Sequence, residues 1–273
     1  MSKYNELKWL GNDEMHLDEI NIKSCDNIYL GSFGGNIEAG ADKNEDGAYV
    51  LSHGEGKWKF AMILDAHTSA ASAQLVIDTI EEDKKELLKV LSLPIETMFG
   101  EMEDLILEIF QSDEFIEKCK KVKGEAACLI CVQREQFLWW FSIGDNLVYL
   151  FHPELAELGQ YTLNQRHFFQ WVGQENTFNL TVPCYSSGIR ELRKGWNYIY
   201  LLTDGVLECG DRPFENSKLL YDVLTNLDES GEVNIKNNIF DLLTRVDKEM
   251  GWDSATTIGW SYYNNKEACW PSR

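Results

Sequence analysis

Residues Ala48–Asp65 read A-Y-V-L-S-H-G-E-G-K-W-K-F-A-M-I-L-D, and this stretch decides the fold. Two apolar runs, rich in β-branched and aromatic residues, flank a polar turn with two glycines, the pattern of a β-hairpin. Folding it at Glu55-Gly56 pairs residues whose numbers add to about 111. By that rule Asp46, just before the first strand, and Asp65, ending the second, become neighbours, with Glu45 beside them. Three carboxylates at one strand end repel one another unless a cation sits between them.

Further strand-like runs follow. Ala127–Val132 (A-C-L-I-C-V) and Phe137–Ile143 (F-L-W-W-F-S-I) read as a second hairpin, with Leu147–Phe151 after it and Trp196–Leu202 and Thr256–Tyr263 near the end. Apolar residues at helical spacing predict helices over Ser69–Leu91, Pro94–Val122 and Asn234–Met250. Proline at position 94 suits a helix start. Strands, two long helices, strands, helix, strand: this order predicts an α+β fold of antiparallel sheets covered by helices. No linker, repeat or low-complexity tract divides residues 1–273, which predicts a single domain.

Two more aspartates stand at strand ends beside small residues. Asp204 follows Y-I-Y-L-L-T and precedes Gly205; Asp253 precedes S-A-T-T-I-G-W. Aspartate also serves at such places as a local turn former, and spacing alone does not bring residues 46, 65, 204 and 253 together. If they do converge, an all-carboxylate site selects magnesium or manganese over zinc or copper. Two such ions about 3.5–4 Å apart activate a water and clamp a phosphoryl group. Asp65 is placed to bridge them, and His67 to protonate a leaving alkoxide; elsewhere a histidine so placed is a capping or surface residue.

The chain has a formal net charge of −20 and 44% hydrophobic residues. An acidic surface of this size repels nucleic acid and anionic membranes, so neither is expected as a partner. No apolar run is long enough to span a bilayer and the N-terminus lacks the apolar core of a secretory signal, so a cytoplasmic location is expected. Seven cysteines, an odd number, fit that expectation. Cys128 and Cys131 form a C-x-x-C without two further zinc ligands at suitable spacing, and read as small core residues of a strand. The glycine-rich Gly31–Asn36 precedes no helical pattern, and neither a phosphate-binding G-x-x-x-x-G-K-[ST] loop nor a G-x-S-x-G serine elbow is present.

Five short motifs taken in order resemble the protein phosphatase 2C family of metal-dependent serine/threonine phosphatases. They are N-E-D at Asn44–Asp46, L-D-A-H-T at Leu64–Thr68, S-I-G-D-N at Ser142–Asn146, L-L-T-D-G-V-L-E at Leu201–Glu208 and D-S-A-T-T-I at Asp253–Ile258. The resemblance spans residues 28–262 and implies a four-layer α-β-β-α sandwich. It implies that Asp65 bridges two magnesium or manganese ions and that Ala66 offers its backbone carbonyl. Asp46 and Glu45 would stand near the second ion, Asp204 and Asp253 at the first, and Asp145 at the third ion some members hold. It casts His67 as the acid and a phosphoprotein as the substrate.

The sequence departs from that family on the substrate side. Ala41 stands where the family has a phosphate-gripping arginine; Lys43 and Arg190 are candidate replacements. Ala66 replaces a glycine, Thr68-Ser69 a Gly-Gly pair, and Ser254 an asparagine. Kept ligands with altered surroundings describe an atypical member with a changed substrate, low activity, or both. Residues 151–194 correspond to the family's variable flap. Here it carries Arg166, His167, Phe168, Phe169 and Trp171, a set that binds a peptide or packs the flap on the core. Two rival readings stay open: an inactive pseudophosphatase that binds phosphoproteins, and a small-molecule phosphatase on the same fold. Oligomeric state is not legible.

Overall fold

The computed structural model describes residues 4–267. Its strands are β1 (Tyr4–Leu10), β2 (Ile20–Cys25), β3 (Ile28–Phe33), β4 (Gly47–His53), β5 (Trp58–His67), β6 (Glu125–Arg134), β7 (Phe137–Ile143), β8 (Leu147–Phe151), β9 (Val172–Gly173), β10 (Ser186–Glu191), β11 (Gly195–Leu202) and β12 (Ala255–Asn264). Its helices are α1 (Ala71–Glu82), α2 (Lys84–Val90), α3 (Ile95–Gln111), α4 (Asp113–Cys119), α5 (Pro153–Glu157), α6 (Asp204–Leu207), α7 (Ser217–Leu224) and α8 (Ile235–Lys248).

Two antiparallel sheets form. The first runs β1-β4-β5-β6-β7-β10, with β9 paired to β6; the second runs β2-β3-β12-β11-β8. The β4–β5 ladder pairs Gly47 with Leu64 through to Ser52 with Lys59, the register expected from a turn at Glu55-Gly56. Strand alternation then sorts the side chains. Ala48, Val50, Ala61 and Ile63 face Val148, Leu150, Ile199, Leu201, Ile258 and Trp260 between the sheets. Tyr49, Leu51, Phe60, Met62 and Leu64 face the layer of α1–α4, with Val76, Ile80, Met102 and Ile106. On the other outer face α7 and α8 lay Leu220, Ile239, Leu242 and Leu243 on Tyr200, Leu202 and Phe33. The result is the α-β-β-α sandwich. Among the described residues no helix is long and apolar enough to cross a membrane.

Details differ from the sequence expectation for local reasons. Each long helix is broken. Asp83 separates α1 from α2, and Ser112, in extended conformation, ends α3 while its hydroxyl accepts from the Phe115 amide to cap α4. Cys128 and Cys131 are both buried but point to opposite faces of β6, one to the helices and one between the sheets, so they cannot share a metal. Burial pushes both thiols up. Trp196, in the strand-like run near the end, is half exposed. The strands β1 to β3 and β10 carried no sequence reading. Segment 151–194 is partly woven into the first sheet, through β9 on β6 and β10 on β7.

Candidate metal centre

The carboxylates gather at one end of the sandwich. Asp46 precedes β4 and Asp65 lies on β5; the β4–β5 ladder carried one step past Gly47 and Leu64 sets them opposite each other. Asp65 shares the parity of Ala61 and Ile63, whose side chains enter the inter-sheet core, and so faces the second sheet. Asp145 sits in the corner between β7 and β8. Asp204 opens α6 directly after β11, and Asp253 lies just before β12, the strand paired to β11. Oxygens of Asp65, Asp145 and Asp204 lie within 4.8 Å of one another.

Close backbone approach makes this convergence possible. A Cβ on Gly205 would stand 2.0 Å from the Ser254 carbonyl oxygen, so the Asp204 turn and the Asp253 loop touch only because residue 205 lacks a side chain. Gly144 has φ +92° and faces Ala127, and turns the chain directly before Asp145.

Burial and mutual repulsion dominate the electrostatics. The Asp46 carboxyl is pushed well up by burial and by Asp253 and Asp204, against hydrogen bonds from Thr256 and Thr203. Asp65 is pushed well up by burial and by Asp204, Asp46 and Asp253. Burial likewise raises Asp145, Asp204 and Asp253. Two of these groups are short of partners: Asp65 Oδ2 and Asp145 Oδ1 are buried and accept no hydrogen bond. Buried acceptors without donors, on carboxylates that repel one another, fit a hard divalent cation.

The other expected residues are placed unevenly. Ala66 packs its side chain into the helical layer, which leaves only its carbonyl to offer. Glu45 has Oε1 buried and unpartnered, and its other oxygen meets Lys43. His67 lies two residues beyond Asp65, edge-on to Trp171 with ring centroids 4.9 Å apart, and its Nδ1 is buried without a partner. Ala41 is buried.

Arg190 is not brought to the centre. It stands opposite Leu138 on β10, on the row that continues through Gln133 to Lys59, about 20 Å along β5 from Asp65. Its guanidinium meets Gln160. The register of an edge strand decides this, and that register was not legible.

Several site residues carried no assigned role. Thr256 Oγ1 donates to Asp46 Oδ2 at 2.6 Å and Thr203 Oγ1 to the same oxygen at 3.3 Å, tying the second sheet to the first. The Thr256 amide donates to Thr203 Oγ1 at 2.9 Å. Both threonines lie inside quoted motifs, where T-D-G and T-T were the available signal. Arg166 is the larger surprise. Its Nη2 donates to Glu208 at 2.6 Å and Asp204 at 3.2 Å, and lies 3.6 Å from Asp145. No spacing pattern could have shown this, because the contact depends on how the segment after β8 folds back.

Two antiparallel sheets flanked by helices are the fold of bacterial serine/threonine phosphatases of the protein phosphatase 2C type. Among solved structures the chain is similar to a bacterial serine phosphatase, with 15% identity over 88% of this chain and 98% of that one and a TM-score of 0.61. It is similar to the serine/threonine phosphatase Stp1 of Staphylococcus aureus, with 13% identity, coverage of 97% and 96%, and a TM-score of 0.59. It is also similar to the Mycobacterium tuberculosis serine/threonine phosphatase PstP/Ppp, with 14% identity, coverage of 87% and 98%, and a TM-score of 0.57. No family model matches the sequence, and no curated protein matches it.

Proposed function

We propose that this chain, as one domain, is a cytoplasmic metal-dependent phosphatase that hydrolyses phosphoserine and phosphothreonine monoesters of proteins. The observation that carries the reading is the convergence of Asp46, Asp65, Asp204 and Asp253 at the end of the inter-sheet core, each pushed up by burial and by acidic neighbours, with Asp65 Oδ2 buried and unpartnered. The phosphatase fold of the neighbours supports it.

Asp46, Asp65, Asp204, Asp253 and the Ala66 carbonyl would hold two magnesium or manganese ions, with Glu45 behind them. When bound, such ions supply a water acidified for attack and neutralise phosphoryl charge. Thr256 and Thr203 orient the Asp46 carboxylate, so its second oxygen stays directed by the protein. His67, its ring braced by Trp171, delivers a proton to the leaving serine or threonine oxygen. Lys43, beside Glu45, is the sequence-expected cation near this end that could meet substrate phosphate.

A second reading has its own support. Ala41 brings no guanidinium to the phosphate, and Arg166 is engaged by Asp204 and Glu208. These facts favour a catalytically weak phosphoprotein-binding module over a fast enzyme.

The deciding experiment assays an aryl phosphate and a phosphothreonine peptide with manganese, with magnesium and with chelator, in wild type and Asp204→Asn. Metal-dependent turnover lost in the variant establishes the hydrolase. A folded, manganese-binding protein with no turnover on either substrate sinks it in favour of the binding module. Turnover of the aryl phosphate alone points to a small-molecule phosphatase.

A further inference from the structure

We infer that the Arg166 guanidinium is a built-in cation that occupies the Asp145–Asp204–Glu208 corner and keeps out a divalent ion these carboxylates would otherwise bind. The inference rests on the metal-centre reading above and concerns how many ions the centre takes.

The same carboxylates serve both roles. Asp145 and Asp204 are two of the three residues whose oxygens cluster within 4.8 Å. Arg166 Nη2 already lies 3.2 Å from Asp204 Oδ2 and 3.6 Å from Asp145 Oδ2. Magnesium needs its oxygens at about 2.0–2.1 Å and in octahedral order, which leaves no room for a charged nitrogen on the same oxygens. Arginine cannot yield by losing its proton, because it stays charged in proteins. It would have to move.

The surrounding segment resists that movement. Buried Asn164 clamps the chain to the β7–β8 corner: its amide donates to Asn146 O at 2.8 Å and Ser142 Oγ at 2.9 Å, and its Oδ1 accepts from the Val148 amide at 2.9 Å. The His167 amide donates to the Gly144 carbonyl at 3.0 Å. Between these anchors Arg166 is 4.8 Å from the centroid of the Phe168 ring, a cation–π contact, and Glu208 holds it at 2.6 Å. Glu208 in turn meets Arg212 at 3.4 Å. The guanidinium is thus carried by a loop fastened to the corner that presents Asp145.

Manganese stoichiometry on the full chain tests this, by calorimetric titration and by the electron paramagnetic resonance signal of free ion. Wild type, Arg166→Ala, Arg166→Lys and the double variant Arg166→Ala/Asp145→Asn are compared, each checked for folding by its thermal transition. Arg166→Ala is expected to bind one more manganese per chain than wild type. The double variant loses that extra ion, and Arg166→Lys, which keeps a cation, matches wild type. Equal stoichiometry in wild type and a folded Arg166→Ala overturns this inference while leaving the metal centre standing. Manganese binding to neither protein overturns both. If Arg166→Ala fails to fold, wild type that binds an ion lost in Asp145→Asn overturns the inference, and wild type whose stoichiometry is unchanged by Asp145→Asn supports it.

Discussion

The Thr256 hydroxyl, on the second sheet, donates at 2.6 Å to the Asp46 carboxylate, which belongs to the first. Asp46 is buried and pushed toward its neutral form by burial and by its acidic neighbours, and this bond opposes that push. Thr256→Val keeps the shape and removes the donor. Manganese affinity at pH 7 is expected to fall on the order of tenfold, the usual scale for losing a group that orients a ligand. A titration showing unchanged affinity would mean that Thr203 alone orients the carboxylate.

Gly205 allows the turns that carry Asp204 and Asp253 to touch. A Cβ there would stand 2.0 Å from the Ser254 carbonyl, which is backbone and cannot swing aside. Gly205→Ala is expected to destabilise the protein by about 2 kcal/mol, as overpacking does, and to weaken manganese binding by separating Asp204 from Asp253. Urea unfolding and metal titration on the same preparation check both; stability within error of wild type would refute the close approach.

Thr68 follows His67 with φ +74°, a left-handed conformation that is strained for a β-branched residue. Thr68→Gly relieves that strain, and a gain of about 1 kcal/mol is expected after the extra freedom of glycine in the unfolded chain is counted. A thermal midpoint below that of wild type would show that Thr68 makes a compensating interaction.

Lys59 is buried on β5, bonded at 3.3 Å to Gln133, and burial holds its ammonium below the ordinary lysine range, with Asp26 opposing. A lowered folded value means that the unfolded chain binds more protons in the window between that value and about 10.4. Lys59 therefore costs stability at neutral pH, and the cost fades as pH rises through the window. Lys59→Met is expected to gain about 1 kcal/mol at pH 7 and less near pH 10. Denaturant melts at the two pH values measure it; an advantage that grows with pH would contradict the sign.

The hairpin over Ala48–Asp65 was readable because its turn lies inside a short, strongly patterned segment. Its register follows from turn position, and Asp46 and Asp65 fall together as a result. Both long helical patterns were readable, but not their breaks at Asp83 and Ser112, since apolar periodicity runs through both. The N-terminal strands β1 to β3 were missed: β1 and β2 interleave polar with apolar residues, and β1 pairs with the distant β4, although β2 and β3 form a local hairpin.

Local sequence determined the central hairpins, the helical stretches, the strand-end aspartates and their chemistry, because alternation, turn residues and carboxylate type act over a few neighbouring positions. Only the tertiary structure decided that aspartates from two sheets meet. That meeting requires β11 and β12 to pack face to face with β4 and β5, and Gly205 to let two turns touch. It likewise decided that Arg190 lies at the wrong end of its strand while Arg166 enters the centre. Both outcomes are set by long-range register and by the Asn164 clamp, interactions between residues far apart in the chain that no local pattern encodes.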